Sequence, residues 1–385
     1  MKSSRPLSLA AVVAILVGAV LVAALASRNG IGTTPATPIA TATSAGSASP
    51  SPSLAASVFD ERFGFLFYDR DARVRSETSD AVISSFAPKG RSFTLLSRVV
   101  SPDGRLVAYW DPVESGPVLH VRSVTGGNAR AVLTGRPEMS GNAFTWSSDS
   151  TGLVAALDNN SIGIGGGPPL VAELWTIDLA SVATEKIASG SIWLPATWDR
   201  GAKLVAAGVT GEGGYLIGYD VIDLRQQPYA VRSTPFRPTV LGRLKASSDA
   251  RYVLLSSDQG GSTSLAWWPL AEPEKRSAVA FAGIAAEWRP GTGEIWWVEG
   301  LSPPGCRTAP CSGTELIAFD VVTGARRVAL RGSYGATLIG SRVDGSAAIT
   351  EVYGSTRTLV LIDIRSGLTG STPMSAQFGG SVRLR

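Results

Sequence analysis

The stretch VVSPDGRLVAYWDPVESGPVLHVRSV, residues 99–124, decides the fold. Its Ser-Pro-Asp-Gly segment is turn chemistry, because proline presets φ, aspartate caps the bend and glycine permits a positive φ. An apolar run precedes this turn and residues 106–110 follow it, which predicts two antiparallel strands joined tightly. Further turns at 111–117 and 125–128 separate two more short strands. The stretch therefore predicts a four-stranded antiparallel sheet.

The same pattern recurs five more times along the chain. Each copy has a turn followed by an apolar strand, and the six turns are centred on residues 103, 149, 199, 249, 291 and 344. Successive turns lie 42 to 53 residues apart. A sheet-forming unit with a period of about 40–50 residues is the signature of a β-propeller blade. The sequence therefore predicts an all-β fold, a β-propeller of four-stranded antiparallel blades.

The first copy resembles a known repeat. Residues 101–109 are similar to the WD-like repeat of TolB-type propellers, which occur in bacterial periplasmic and secreted proteins. Later copies depart from that pattern, since residues 198–201 lack the proline and Gly291 replaces the aspartate. The resemblance covers roughly residues 93–370. It implies a fold and an exported bacterial protein, and it brings no catalytic residues with it.

Residues 58–385 are assigned to the propeller domain. Three short runs, 63–68, 72–77 and 81–86, read as strands ahead of the first full repeat, and 378–385 reads as one more. At about 48 residues per blade, this length predicts seven blades, with the final strand joining the first three. Such closure removes free sheet edges. The alternative is six blades with an irregular N-terminal extension, as is common among TolB-type rings.

Residues 1–26 are predicted to be a transmembrane anchor or a signal sequence. Lys2 and Arg5 precede an uncharged apolar run at 7–26. Twenty helical residues span about 30 Å, the thickness of a bilayer core. A small-x-small sequence at 24–26 leaves signal cleavage as the alternative. By the positive-inside rule the domain is extracytoplasmic, on a single-pass membrane protein or, after cleavage, as a secreted or periplasmic one.

Residues 27–57 are predicted to be a disordered linker. They are almost all Ser, Thr, Ala, Pro or Gly, and Arg28 is their only charge. Such a segment buries too little apolar surface to offset the entropy lost on ordering.

Charge argues against nucleic-acid binding. The formal net charge is +4. However, Lys2, Arg5 and Arg28 precede Asp60, whereas every acidic residue lies at or after it, so the propeller domain is nearly neutral. The sequence also lacks a stripe of Lys and Arg interleaved with aromatic residues.

Cys306 and Cys311 are the only cysteines. In an exported protein, two cysteines separated by four residues most simply close a small disulfide loop. A zinc site needs four ligands, and no further cysteine or nearby histidine completes one. The sequence therefore predicts a disulfide and no metal site.

His120 is the only histidine and lies in a predicted third strand. A Ser-His-Asp triad would have to use it, and the sequence has no Gly-x-Ser-x-Gly elbow. We interpret His120 as a structural or solvent-facing strand residue. No catalytic residue and no cofactor is assigned.

The tryptophans predict packing between blades. One equivalent position before the turn carries three of them: Trp146, Trp198 and Trp288. Two adjacent pairs also occur: Trp267-Trp268 and Trp296-Trp297. Neighbours on a strand face opposite ways, and both faces of a blade pack against other blades, so burial of both members is favoured over an exposed aromatic surface.

Together these features predict a membrane-tethered, extracytoplasmic propeller that acts as a protein- or glycan-binding or scaffolding module of the cell envelope. Its partner, an envelope protein or a cell-wall glycan, would be met by two long loops, residues 158–171 and 301–314. Both connect second and third strands and so should leave one face. The competing class is an exported hydrolase with a site on one face of the propeller, and the single histidine favours binding.

Overall fold

The computed structural model describes residues 63–68, 72–76, 82–85, 100–159, 171–211, 215–239, 242–257, 264–283, 285–300, 314–332, 337–352, 357–374 and 377–383. The predicted anchor, the linker and both cysteines lie outside these ranges. Within them, no helix is long and apolar enough to cross a membrane.

The described residues form 27 β-strands. In chain order they are β1 (Phe63–Tyr68), β2 (Ala72–Ser76), β3 (Val82–Ser85), β4 (Leu106–Val113), β5 (Gly116–Ser123), β6 (Gly126–Thr134), β7 (Ser140–Trp146), β8 (Gly152–Asp158), β9 (Ala172–Asp178), β10 (Thr184–Ser189), β11 (Ile192–Asp199), β12 (Leu204–Thr210), β13 (Leu216–Asp223), β14 (Ala230–Thr239), β15 (Gly242–Ala246), β16 (Tyr252–Ser257), β17 (Ser264–Pro269), β18 (Ser277–Ala280), β19 (Ala286–Trp288), β20 (Glu294–Gly300), β21 (Thr314–Asp320), β22 (Arg326–Gly332), β23 (Thr337–Ser341), β24 (Ala347–Val352), β25 (Arg357–Asp363), β26 (Thr369–Met374) and β27 (Gln377–Arg383).

These strands assemble into consecutive antiparallel sheets. Described strands form five four-stranded sheets in chain order from β7 to β26, a three-stranded sheet β4–β5–β6, and a four-stranded sheet β27–β1–β2–β3. The apolar run predicted as the first strand before β4 falls mostly outside the described residues. Its last residue, Val100, is described and forms an antiparallel bridge with Val107. The all-β prediction and the four-stranded antiparallel sheets are confirmed.

One sheet joins the two ends of the described chain. As predicted, β27 pairs with β1, beginning with Phe63 opposite Arg383 and ending with Tyr68 opposite Gln377. β1 continues into β2 and β3, at the places where three short strands were expected.

The turn between the first two strands of a sheet repeats one hydrogen-bond pattern. Ser101 Oγ donates to Asp103 Oδ1 at 2.6 Å, and it accepts the backbone N–H of Leu106 at 2.9 Å. The same two bonds recur at Ser147 and at Ser247. Serine and aspartate therefore satisfy the backbone of the turn in these three copies, which is why the Ser-x-Asp pattern marks them.

Neighbouring sheets are linked through these turns. The N–H of Asp103 donates to Ser150 Oγ at 3.0 Å, the N–H of Ser148 donates to the carbonyl of Trp198 at 3.1 Å, and the N–H of Gly291 donates to Ser248 Oγ at 2.8 Å. These contacts align the turns at one end of the sheets, which we call the turn face. The connections from second to third strands, and from fourth strands onward, leave from the opposite end, the loop face.

The core lies between sheets. Clusters of buried apolar side chains join β4–β6 to β7–β9, and then each sheet to the next as far as the β23–β26 sheet. All seven tryptophans singled out in the sequence are buried: Trp146, Trp198, Trp267, Trp268, Trp288, Trp296 and Trp297. Burial of both members of each adjacent pair is confirmed, because both faces of a sheet are covered.

The connection from β4 to β5 is tighter than predicted. The sequence placed a turn over residues 111–117, whereas β4 extends to Val113 and β5 begins at Gly116. Pro112 therefore lies inside a paired strand, opposite Pro117. Gly116 adopts a φ of 117°, which closes the hairpin in two residues.

The hairpin between β9 and β10 carries an unfavourable residue. Val182 has a φ of 58°, whereas Gly324 and Gly367 hold the equivalent positions of two other hairpins with φ of 72° and 73°. A β-branched residue is strained in this left-handed region. We expect Val182→Gly to raise the free energy of unfolding in urea by about 1 kcal/mol, after the entropic cost of a new glycine. Gly324→Val is the matched control and should lower it; a destabilised Val182→Gly would contradict this account.

A candidate binding face at the loop ends of the sheets

Asp149, Asp178 and Arg200 of the turn face take part in structural hydrogen bonds. Hydrogen bonds from the backbone and hydroxyl of Ser181, together with Arg200, hold the pKa of Asp178 well below its usual range. Burial alone would raise the pKa of Asp149, but hydrogen bonds from Ser147 and Thr151 outweigh it and the pKa is lowered. Arg200 also donates to the carbonyl of Thr151 at 2.9 Å. These carboxylates are ionised and engaged in contacts within and between the turns.

The two long loops start from closed necks on the loop face. The N–H of Asn159 donates to the carbonyl of Val171 at 3.0 Å, and Asn159 Oδ1 accepts the N–H of Val171 at 3.1 Å. Gly300 is paired with Thr314 at the end of β20 and β21. The loops connect second to third strands of their sheets, as predicted. Residues 160–170 and 301–313 themselves lie outside the described residues.

A charged cluster with one aromatic ring lies beside the first neck. Glu173, at the start of β9, accepts the indole N–H of Trp175 at 3.1 Å through Oε2. Its Oε1 lies 3.3 Å from Nη2 of Arg136 and 3.5 Å from Nζ of Lys186. Arg136 comes from the connection between β6 and β7, so the cluster spans two sheets. Glu138 adds a contact of 3.3 Å to Nε of Arg136. We call these five residues the Trp175 cluster.

Burial divides the Trp175 cluster into a floor and a rim. The Glu173 side chain is 12% exposed, whereas Arg136 is 52% and Lys186 48% exposed. Trp175 is partly buried and packs against the core shared by the β4–β6 and β7–β10 sheets. A partly buried tryptophan and two accessible cations thus contact the same carboxylate.

A similar arrangement beside the second neck is closed. Glu299 Oε1 accepts the indole N–H of Trp297 at 2.7 Å, and Arg326 Nη2 donates to its Oε2 at 2.7 Å. Trp297 is completely buried. The same tryptophan–glutamate spacing therefore yields a structural contact here and a partly accessible one at Trp175.

Sequence analysis missed the Trp175 cluster. The available signal was Glu-x-Trp on a strand, which puts both side chains on one face. Arg136 lies 37 residues away in sequence, and Lys186 lies on the neighbouring strand β10. Strand pairing and the packing of adjacent sheets are therefore needed to place these cations beside Glu173.

Exposed apolar residues also occur on the loop face. Val113 lies at the β4–β5 hairpin, and Tyr215 and Ile217 flank the end of the β12–β13 connection. Tyr215 combines a large apolar ring with a hydroxyl, which suits it to contacts with a partner.

His120 lies on β5 as predicted and faces a polar strip of the β4–β5 pair. Its ring stacks on Tyr109 with centroids 5.5 Å apart, and Nε2 lies 3.9 Å from Asp111 Oδ2. Burial raises the pKa of Tyr109, with Arg122 acting in the opposite direction. The stacked and paired His120 fits the structural interpretation.

No metal-ligating group emerges from the part of the chain that the structure describes. There, no three His, Cys, Asp or Glu residues lie close enough to hold an ion. The predicted Cys306–Cys311 disulfide falls in residues 301–313 and stays a prediction.

Three solved structures place the fold among known ones. An oligogalacturonate lyase in complex with manganese is 14% identical with a TM-score of 0.51, over 77% of this chain and 83% of that chain. A functionally unknown protein from Desulfotomaculum acetoxidans is 12% identical with a TM-score of 0.51, over 84% and 99%. TolB from Acinetobacter baumannii is 13% identical with a TM-score of 0.44, over 81% and 78%.

These identities show the fold alone. The chain is similar to β-propeller proteins at the level of the fold. No family model and no curated protein sequence matches.

Proposed function

We propose that this protein is a propeller-based binding or scaffolding module of the cell envelope, with the loop face as its binding surface. The seven sheets would close as a seven-bladed ring through the sheet formed by both chain ends. The single observation that carries the proposal is that the necks of both long loops lie on the loop face, together with the exposed Tyr215 and the Trp175 cluster.

The localisation proposed is the cell membrane, with the domain extracytoplasmic and the membrane engaged through residues 7–26. The uncharged run preceded by Lys2 and Arg5 supports it. Signal cleavage would give a secreted or periplasmic protein with the same binding face. The proposed partner is an envelope protein or a cell-wall glycan.

The test replaces both long loops, residues 160–170 and 301–313, by short glycine-serine connections. Insoluble cell-wall glycan is used for co-sedimentation, and a photo-crosslinking amino acid at Tyr215 is used in cells. We expect the full chain to bind in at least one assay, and the doubly shortened chain to lose that binding while its β-rich circular dichroism and cooperative melting persist.

The matched crosslinking control is Val322, which is 71% exposed on the turn face. A partner trapped from Val322 but not Tyr215 would show that the binding surface is elsewhere. Unchanged binding by the doubly shortened chain would also refute the proposal. Hydrolysis of the glycan by the full chain, lost on shortening, would favour the competing exported hydrolase.

A further inference from the structure

We propose that the Trp175 cluster is a binding subsite for a saccharide that carries a carboxylate. This inference rests on the proposed function, because it assigns a ligand class to one part of the loop face. The sugar ring would lie on the accessible part of Trp175. Its carboxylate would meet Arg136 and Lys186.

The aromatic component is already ordered. The indole N–H of Trp175 is held by Glu173 at 3.1 Å, and the ring packs against the core between two sheets. A ring fixed in this way loses little side-chain entropy when a ligand stacks on it. An aromatic face with a polar group beside it suits a sugar, which presents apolar C–H groups and hydroxyls.

The cations select for a negative group. Arg136 and Lys186 both approach the same oxygen, Oε1 of Glu173, so two positive charges share one carboxylate on the floor. An arginine has five N–H donors and a lysine three, which leaves donors for a second carboxylate. Glu138 is 55% exposed and contacts Nε of Arg136 from the rim, where a ligand carboxylate would compete with it.

The Trp297 contact supplies an internal control. Trp297, Glu299 and Arg326 repeat the tryptophan, carboxylate and cation, but Trp297 is completely buried. Stacking on this ring is therefore impossible without unfolding. If sugar binding requires an accessible tryptophan ring, substitutions at Arg326, which lies beside the buried Trp297, leave sugar binding unaffected.

The experiment compares two disaccharides that differ by one lactyl ether group, which carries a carboxylate. Isothermal titration of the full chain uses N-acetylglucosaminyl-N-acetylmuramic acid, whose lactyl ether carries the carboxylate, and di-N-acetylchitobiose, which lacks it. We expect the acidic disaccharide to bind about tenfold tighter or more, as for one charge-assisted contact. Equal affinities, or binding of neither sugar, would overturn the proposal.

Three variants locate the binding. The double substitution Arg136→Gln with Lys186→Gln should reduce the preference for the acidic disaccharide to near unity, whereas Arg326→Gln should keep it. Glu138→Gln should tighten binding of the acidic sugar, because the substitution removes the carboxylate that competes with the sugar for Arg136. A preference that survives the double substitution, or that falls equally in Arg326→Gln, refutes the subsite. Circular dichroism and melting confirm folding of each variant.

The two proposals fail differently. Loss of partner binding on loop shortening, combined with no preference for the acidic disaccharide, would keep the loop face and remove the subsite. A retained preference for the acidic disaccharide, combined with unchanged partner capture after shortening, would keep the subsite and remove the two long loops from the binding surface.

Discussion

Gly116→Ala should be among the most damaging single substitutions in the domain. Gly116 has a φ of 117°, where an L-residue is strained. An added Cβ would lie 2.3 Å from the carbonyl oxygen of Gly135 and 2.9 Å from that of Arg136. Those are backbone atoms, and they cannot rotate away as a side chain could. Strain and overpacking together should cost about 3–4 kcal/mol of unfolding free energy in urea.

Gly127→Ala is the matched control. Gly127 also has a left-handed φ, 96°, but a Cβ there meets nothing within 4 Å. Gly127→Ala should lower the free energy of unfolding only by the cost of backbone strain, about 1–2 kcal/mol. If the two variants lose equal stability, the close approach of residues 135–136 is not what requires glycine at position 116. Because that segment carries Arg136, Gly116→Ala should also weaken the acidic-sugar preference in whatever fraction stays folded.

The recurring turn made the fold predictable from sequence. Ser-x-Asp satisfies its own turn backbone through local hydrogen bonds, so its chemistry is readable in a few consecutive residues. Short local strand patterns likewise made β1, β2 and β3 recognisable. The pairing of β27 with β1 was predicted because the domain is long enough for a seventh blade, which both chain ends must form.

Contacts between sheets were harder to predict from the sequence. The cations of the Trp175 cluster were missed because Arg136 reaches Glu173 across 37 residues. The β4–β5 hairpin was misjudged because proline usually marks a break, whereas Pro112 lies within a paired strand. Repeats predict the register within a sheet, but which side chains meet between sheets depends on packing.

A partly buried ion pair joins two consecutive first strands. Lys245 on β15 binds Glu287 on β19, and its ammonium also donates to the carbonyl of Ala286 at 3.0 Å. The indole N–H of Trp288 returns a bond to the carbonyl of Lys245 at 2.7 Å. The side chains are 13% and 19% exposed, so solvent screens the pair only weakly. Three contacts thus tie adjacent sheets at one point.

Removing one member of this pair should therefore be costly. We expect Glu287→Ala to lower the free energy of unfolding by about 3 kcal/mol, because the Lys245 charge stays buried without its carboxylate. The double variant Lys245→Met with Glu287→Leu should be more stable than Glu287→Ala, since no charge is left buried and apolar side chains refill the site. Urea unfolding of wild type, Glu287→Ala, Lys245→Met and the double variant measures this. If the double variant loses the sum of two large single losses, packing rather than charge pairing holds β15 against β19.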